Sequence, residues 1–211
     1  MGNRMRQQMK IKIRIKRYAL LGAMGLAATS FVAPLQAQGF PNKPVKAVIT
    51  FTPGSATDII GRVVAQKLAD YWGQPVVPEN RAGAGGSIAS AMVAKAEPDG
   101  YTLLINSNAH TVNPAIYAKL PYDTLKDFAS VAPMVMAPQV LVVSPSGPHQ
   151  SVRDLVAYGK SKPEAINFAH AGVGSGTHLN LEVFIDAAGI KVTQIAYKGT
   201  PEAFTSVMSN T

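Results

Sequence analysis

The sequence has 211 residues, which is enough for one ordinary domain or two small ones. Its formal charge of +8 is concentrated in residues 1–37, which hold seven basic and no acidic residues, whereas the rest of the chain holds 13 basic and 12 acidic residues. The body of the chain therefore gives no electrostatic reason to expect nucleic-acid binding. The absence of cysteine excludes disulfides and thiolate metal sites, and the His and carboxylate spacings match no metal motif, so we expect neither a metal nor a cofactor.

Residues 1–37 have the layout of a secretory signal peptide. A basic region ends at Arg17, an apolar stretch runs from Tyr18 to Ala33, and the small-residue pattern Leu35-Gln36-Ala37 follows. We predict cleavage after Ala37 and a mature chain that works in the periplasm. A retained membrane anchor is the alternative, but an apolar stretch of 16 residues is short for a span.

The mature chain alternates strand-length apolar runs with segments of helical spacing. The predicted strands are Val45–Phe51, Pro75–Val77, Tyr101–Asn106, Val140–Ser144, Ile166–Ala171 and Val192–Tyr197. The predicted helices are Ser55–Trp72, Ser87–Ala96, Val152–Lys160, Thr177–Ala188 and one that begins at Pro201. This alternation predicts an α/β fold with parallel sheets. Because residues 107–138 are irregular, we expect two α/β lobes, residues 38–138 and 139–211.

The last predicted helix reaches Thr211 without a glycine cap, a proline or a closing strand. A lobe that ended there would expose a sheet edge. We therefore expect the second lobe to be incomplete and the sequence to be a fragment or a truncated form of a longer protein.

Two loops combine glycine with hydroxyl side chains between a predicted strand and the next helix. The first is Pro53-Gly54-Ser55-Ala56-Thr57-Asp58, in which Ser55 and Asp58 approximate a capping box. The second is Gly172-Val173-Gly174-Ser175-Gly176-Thr177-His178, which lacks the spacing of a nucleotide-binding motif. The alternative is that each loop is an ordinary strand-to-helix turn with a good helix cap. Together they favour a cleft in which helix N-termini from two lobes hold a small anion.

The segment Gly85-Gly86-Ser87-Ile88-Ala89 is one substitution from the nucleophile elbow of serine hydrolases. Val77, the last residue of the preceding predicted strand, lies ten residues before Ser87, and no partner histidine is indicated by a motif. We therefore expect no enzymatic activity, and a serine hydrolase is the disfavoured alternative.

Seven short segments, in order along the mature chain, carry a family resemblance. They are Phe40-Pro41-Asn42-Lys43-Pro44-Val45, Phe51-Thr52-Pro53-Gly54-Ser55-Ala56-Thr57-Asp58, Glu79-Asn80-Arg81-Ala82-Gly83-Ala84-Gly85-Gly86, Pro98-Asp99-Gly100-Tyr101-Thr102-Leu103, Leu120-Pro121-Tyr122-Asp123, Lys126-Asp127-Phe128 and Tyr197-Lys198-Gly199. In this series the chain resembles the Bug-type periplasmic solute-binding receptors of tripartite tricarboxylate transporters. It departs from the family at Thr52, Ser55 and Ala82, and family members continue well beyond residue 211.

The resemblance implies a two-lobed, periplasmic-binding-protein-like fold that closes over a small carboxylate or related solute. It also implies a monomer that delivers this solute to membrane transporter subunits. The implied ligand-binding residues are Pro53, Gly54, Ser55, Thr57 and Asp58 on one side, Ala171, Gly172, Gly174, Ser175 and His178 on the other, and Ser107, His110 and Asn113 after the third strand. Asp58 is expected to order its loop or to pair an ammonium group. A periplasmic sensor for a signalling partner and a non-functional remnant are the alternative functions.

Overall fold

The computed structural model describes residues 39–210 of the chain. The predicted signal peptide, residues 1–37, lies outside the described residues. These residues form five strands and six helices, which alternate except for two consecutive helices before the fourth strand. The strands are β1 (Val45–Ile49), β2 (Val76–Asn80), β3 (Thr102–Ile105), β4 (Asn167–His170) and β5 (Thr193–Ala196). The helices are α1 (Ala56–Trp72), α2 (Ser87–Ala94), α3 (Ala109–Ile116), α4 (Val152–Ser161), α5 (Gly176–Ala188) and α6 (Thr200–Ser209), and a short 3₁₀ helix covers Ala84–Gly86.

The strands form two parallel sheets. The first has the order β2-β1-β3, with Ile49 opposite Asn80 on one side and Ile105 on the other. The second pairs β4 with β5, with His170 opposite Ala196. Pro78 is tolerated in β2 because β2 is an edge strand. The carboxyl ends of the strands in each sheet lead into the loops that carry the glycine motifs.

The core of the first sheet is built from alternating apolar residues of β1 and one face of α1. Val45, Ala47 and Ile49 pack with Ala65, Val76 and Ile105. Gly61 lets α1 lie close to the sheet, because a Cβ at this position would be 3.2 Å from side-chain carbons of Ile49 and Ile105. Burial of these side chains stabilises the sheet by roughly 1.5–3 kcal/mol for each large aliphatic residue.

The second sheet contacts α5 and α6 through β4, whereas α4 packs against residues that precede β4 and β5. Leu155 of α4 is buried, and Gly159 faces Ile166 and Ile190 at 3.1–3.2 Å from its Cβ position. Gly61 therefore brings α1 close to the first sheet, and Gly159 brings α4 close to the segments that lead into β4 and β5. Both sheets belong to one compact unit that begins at Pro41, so the boundary between lobes at residue 138 stays a prediction.

Two features of the middle segment differ from the sequence expectations. The predicted strand Val140–Ser144 is wrong: these residues have no regular structure, and Val140 is 81% exposed. Within the described residues they lie in neither sheet, so their backbone lacks the partner that a strand needs. Conversely, α3 lies inside the segment expected to be irregular, with Pro114 at its sixth position.

Candidate functional site

The β1–α1 loop is ordered by two reciprocal hydrogen bonds. The Ser55 hydroxyl accepts from the backbone N–H of Asp58 at 3.2 Å, and the Asp58 carboxylate accepts from the backbone N–H of Gly54 at 2.9 Å. This resembles a capping box, except that the acidic side chain reaches the residue before the N-cap. Ser55 and Asp58 are both buried, so the loop is held from inside the protein.

Asp58 has further partners that fix its charge. Its Oδ1 accepts from Arg62 Nε at 2.9 Å and from Asn80 Nδ2 at 2.8 Å. Burial raises the pKa of this carboxyl, but the hydrogen bond from Gly54 and the bonds from Asn80 and Arg62 outweigh it and hold the pKa below its ordinary value. Asp58 is therefore a charged residue that orders its loop, and its oxygens are already engaged by protein donors.

The β4–α5 loop repeats this arrangement. The Ser175 hydroxyl accepts from the N–H of His178 at 3.2 Å, and His178 Nδ1 accepts from the N–H of Gly174 at 3.3 Å. Because Nδ1 is an acceptor, the ring proton of neutral His178 lies on Nε2, which is 3.4 Å from Glu182 Oε1. His178 thus occupies the position in this loop that Asp58 occupies in the first, with an imidazole in place of a carboxylate.

Thr177 adds a hydroxyl to the second loop. Its Oγ1 accepts from the N–H of Ala171 at 2.9 Å and lies 3.0 Å from the Ser175 hydroxyl. Thr57, at the matching place in the first loop, forms no hydrogen bond of this kind within the part of the chain that the structure describes. The second loop is therefore the more extensively bonded of the two.

The glycine loop before α2 meets the second loop directly. A Cβ at Gly85 would lie 2.5 Å from the carbonyl oxygen of Val173, and the Tyr117 hydroxyl donates to the same oxygen at 3.3 Å. Asn113 is fully buried beside this contact, and its Nδ2 donates to the Gly85 carbonyl at 3.2 Å. A Cβ at Gly174 would lie 2.9 Å from Asn113 Oδ1. Asn113 thus lies between Gly85 and Gly174.

A second contact joins the β1–α1 loop to the start of α6. Thr52 touches Gly199 so closely that a side chain at residue 199 would collide with it, and Gly54 faces Pro201. The oxygens Thr50 Oγ1 and Thr52 Oγ1 are buried and have no hydrogen-bond partner among the described residues. The loops at the carboxyl ends of both sheets therefore converge on one region.

A cavity of about 480 Å³ lies where these loops converge. The loops after β1, β2, β4 and β5 all contribute to its wall. Its lining residues are Phe51, Gly83, Ala84, Gly85, Ala171, Gly172, Ala196, Tyr197, Lys198 and Glu202. The wall is mostly small and apolar with two charged residues, a composition suited to a small organic ligand.

Of the sequence-predicted site residues, Ala171 and Gly172 line this cavity. The same β4–α5 loop contains three further predicted residues that are outside the lining set, Gly174, Ser175 and His178. The β1–α1 loop contains the other five, which are also outside the lining set: Pro53, Gly54, Ser55, Thr57 and Asp58. Sequence reasoning missed Tyr197, Lys198 and Glu202 as lining residues, although Tyr197-Lys198-Gly199 was among the segments singled out. The available signal was that Lys198 directly follows a predicted strand, between that strand and the next predicted helix, the same position as the two loops that were chosen.

The three predicted residues after β3 lie near one another but outside the lining set. The Ser107 hydroxyl accepts from the N–H of Ala109 at 3.3 Å. His110 Nδ1 lies 3.1 Å from the hydroxyl of Ser90, and its ring stacks on Tyr122. Burial lowers the pKa of His110, which favours the neutral imidazole. The ring contributes to the packing around Ser90 and Tyr122.

Other kinds of site find little support in the described part of the chain. Ser87, the candidate nucleophile, forms no hydrogen bond with a histidine there; the Ser–His contact involves Ser90, whose buried hydroxyl also donates to the Gly86 carbonyl. Residues 39–210 contain no group of three His, Asp or Glu side chains that could hold a metal ion. In the same range, no helix combines the length and apolar character needed to cross a bilayer.

Comparison with known proteins identifies the family. Residues 60–211 match the family described as tripartite tricarboxylate transporter family receptor. The chain is 37% identical over 193 residues to protein BugT of Bordetella pertussis, a match that covers 90% of this chain and 59% of BugT. It is 34% identical over 196 residues to a UPF0065 protein from the tcbD-tcbE intergenic region of Pseudomonas sp. strain P51, covering 92% of this chain and 58% of that one.

Solved structures give the same result for the fold. Rpa4515 of R. palustris with adipate superposes with a TM-score of 0.77 at 34% identity, covering 80% of this chain and 56% of that one. MatC of Rhodopseudomonas palustris with bound malate superposes with a TM-score of 0.72 at 32% identity, and the match covers 80% of this chain and 57% of MatC. The periplasmic binding protein BugD superposes with a TM-score of 0.70 at 31% identity, and the match covers 81% of this chain and 57% of BugD.

The predicted fold class is therefore confirmed as an α/β fold of the periplasmic-binding-protein type. The chain spans less than three fifths of the length of the relatives and structures it matches, which fits the predicted incomplete second lobe. The expected resemblance is also confirmed. The chain belongs to the receptor family of tripartite tricarboxylate transporters, a family of periplasmic solute-binding proteins rather than enzymes.

Proposed function

We propose that this chain captures a small carboxylate or related solute in the cavity between its two sheets and delivers it to the membrane subunits of a tripartite tricarboxylate transporter. The observation that carries the proposal is the 480 Å³ cavity walled by loops from the carboxyl ends of both sheets. Ligands of open α/β folds bind at these strand ends.

The electrostatics of the loops support an anionic ligand. The helices α2 and α5 begin shortly after the cavity-lining residues Gly85 and Gly172. Neither helix has an acidic residue in its first turn. Each start therefore keeps the partial positive charge of the helix dipole, about half an elementary charge, which favours a carboxylate.

The ligands of related structures support the same class. Rpa4515 is described with adipate and MatC with malate, both small dicarboxylates. Transfer of this ligand class to the present chain is part of the proposal, as are export through residues 1–37, cleavage after Ala37 and action as a periplasmic monomer.

Thermal unfolding of the purified chain against a library of small carboxylates tests the proposal. A ligand present at a hundredfold excess over its Kd should stabilise the folded state by about 2.7 kcal/mol. Cooperative unfolding with no shift for any carboxylate would contradict the proposed ligand class. The absence of cooperative unfolding would instead favour the alternative of a non-functional remnant.

The proposed membrane partner is tested by a separate binding measurement. Binding of the ligand-loaded chain to membranes that contain the transporter subunits, and not to membranes without them, is the expected result. Binding to a membrane kinase or regulator in place of the transporter would favour the sensor alternative.

A further inference from the structure

The cavity wall carries one cationic and one anionic side chain. Eight of its lining residues are uncharged: Phe51, Gly83, Ala84, Gly85, Ala171, Gly172, Ala196 and Tyr197. The two charged ones are Lys198, in the β5–α6 loop, and Glu202, in the first turn of α6. Both side chains are exposed, so each can reach a ligand that enters the cavity.

Neither charge is neutralised by another residue. Within residues 39–210, Lys198 and Glu202 form no ion pair, either with each other or with a third side chain. By contrast, Asp58 forms an ion pair with Arg62. Glu79 forms ion pairs with Lys46 and Arg81. The charges of Lys198 and Glu202 are therefore available to a ligand.

Glu202 also changes the field at the start of α6. Its carboxylate Oε2 lies 3.2 Å from the Cβ position of Gly199, the N-cap of this helix. A carboxylate at this place offsets the positive end of the helix dipole. The start of α6 therefore repels an anionic group, whereas the starts of α2 and α5, without acidic residues in their first turns, attract one.

We propose that Lys198 and Glu202 make this cavity selective for a ligand with one carboxylate and one ammonium group over a dicarboxylate of the same length. The inference rests on the proposed function, because it assumes that a carboxylate enters the cavity. Lys198 holds the carboxylate, and Glu202 pairs the ammonium group. A second carboxylate would face Glu202, and like charges at a partly desolvated site oppose binding.

Isothermal titration of the purified chain with ligands matched in length tests this. One set is adipate, 6-aminohexanoate and hexanoate, and a second is succinate, 4-aminobutyrate and butyrate. We expect the amino acid of each set to bind about tenfold or more tightly than the dicarboxylate. In the Glu202→Gln variant this ratio should fall to about twofold or less, since the amide neither pairs the ammonium group nor repels the second carboxylate.

Lys198→Met should weaken all the carboxylates, with a similar loss for each member of a set. The matched controls are Glu97→Gln and Lys67→Met, which remove the same charges from exposed positions outside the cavity wall. Both controls should keep the wild-type ratios, and thermal unfolding should show that every variant is folded.

The outcomes separate the inference from the proposed function. A dicarboxylate that binds the wild type as tightly as the matching amino acid, or a ratio that Glu202→Gln leaves unchanged, overturns the inference while the proposed function stands. Failure of all six compounds and of the wider carboxylate library to bind a cooperatively folded chain overturns the proposed function and the inference with it.

Discussion

Gly85 and Val173 lie in segments that follow strands of different sheets, yet their backbones touch: a Cβ at Gly85 would lie 2.5 Å from the Val173 carbonyl oxygen. Only glycine allows this approach, because real Cβ atoms do not come so close to an oxygen. The contact links the loop after β2 to the loop after β4, and Gly85 also lines the cavity. The shape of the cavity therefore depends on the absence of a side chain at residue 85.

Gly85→Ala should destabilise the fold more than Gly189→Ala does. Both glycines have positive φ, 58° and 62°, so alanine costs each of them about 1–2 kcal/mol of backbone strain. Gly189 has open space around its Cβ position, whereas Gly85 faces Val173. Urea unfolding of the two variants measures the difference, which reports the crowding of a residue 85 side chain by Val173 and Asn113. Equal losses of unfolding free energy would show that the two loops can separate at no cost.

Asn113→Ala should cost about 2–3 kcal/mol of unfolding free energy, since it removes a buried amide that donates to the Gly85 carbonyl and leaves that carbonyl unpaired. Asn180→Ala, at an exposed position on α5, is the matched control and should change stability by less than about 0.5 kcal/mol. Denaturant titration of both variants checks this. A neutral Asn113→Ala would mean that the two glycine loops hold each other without it.

Ser55→Ala, Ser175→Ala and Ser151→Ala should each cost about 1 kcal/mol, because all three serines cap a helix. Their effects on ligand affinity should differ. Ser55 and Ser175 order the two loops beside the cavity, whereas Ser151 caps α4 and lies outside the cavity wall. Titration with a carboxylate that binds the wild type should therefore show weaker binding for the first two variants and unchanged binding for Ser151→Ala.

Asp58→Asn should lower stability by about 2 kcal/mol at neutral pH, since a charged acceptor of bonds from Gly54, Asn80 and Arg62 becomes a neutral amide. The folded-state pKa of Asp58 is below its ordinary value of 3.8, so its contribution is present above pH 3.8 and is lost as the pH falls through the folded pKa. The difference between wild type and variant should thus be constant from pH 7 to about 5 and shrink in stronger acid.

The control for this pH dependence is Asp70→Asn, on the exposed side of the same helix, where the carboxylate accepts one bond from Gln66. Its difference from the wild type should be small at every pH. A loss for Asp58→Asn that grows in acid would contradict the sign derived for Asp58.

The sequence predicts the regular elements of this fold where local patterns suffice. The run Val45–Ile49 is apolar except for one exposed lysine, and it forms the buried central strand. The run at residues 140–143 is equally apolar but forms no strand, because strand formation also needs a neighbouring strand, which no local pattern reveals. The α3 helix was missed because Pro114 and the asparagines in and before it, Asn106, Asn108 and Asn113, are typical of a loop.

In the candidate site, too, local sequence patterns predict some features and not others. The caps formed by Ser55 and Ser175 follow from residue type and spacing. The cavity wall does not, since Lys198 and Glu202 reach it through the convergence of four loops that are distant in the sequence. The assignment of Asp58 as a loop-ordering residue agrees with its hydrogen bonds, but Arg62 and Asn80 as its partners could be found only in three dimensions.

The central position of β1 has a consequence for how the chain acquires its structure. Its two neighbours, β2 and β3, end by Ile105, so the three strands that the structure describes in the first sheet are all synthesised before the residues of the second sheet. Amide protons of Val45–Ile49 are bonded within a buried strand that has a neighbour on each side, and they should exchange with deuterated solvent more slowly than those of the two-stranded sheet.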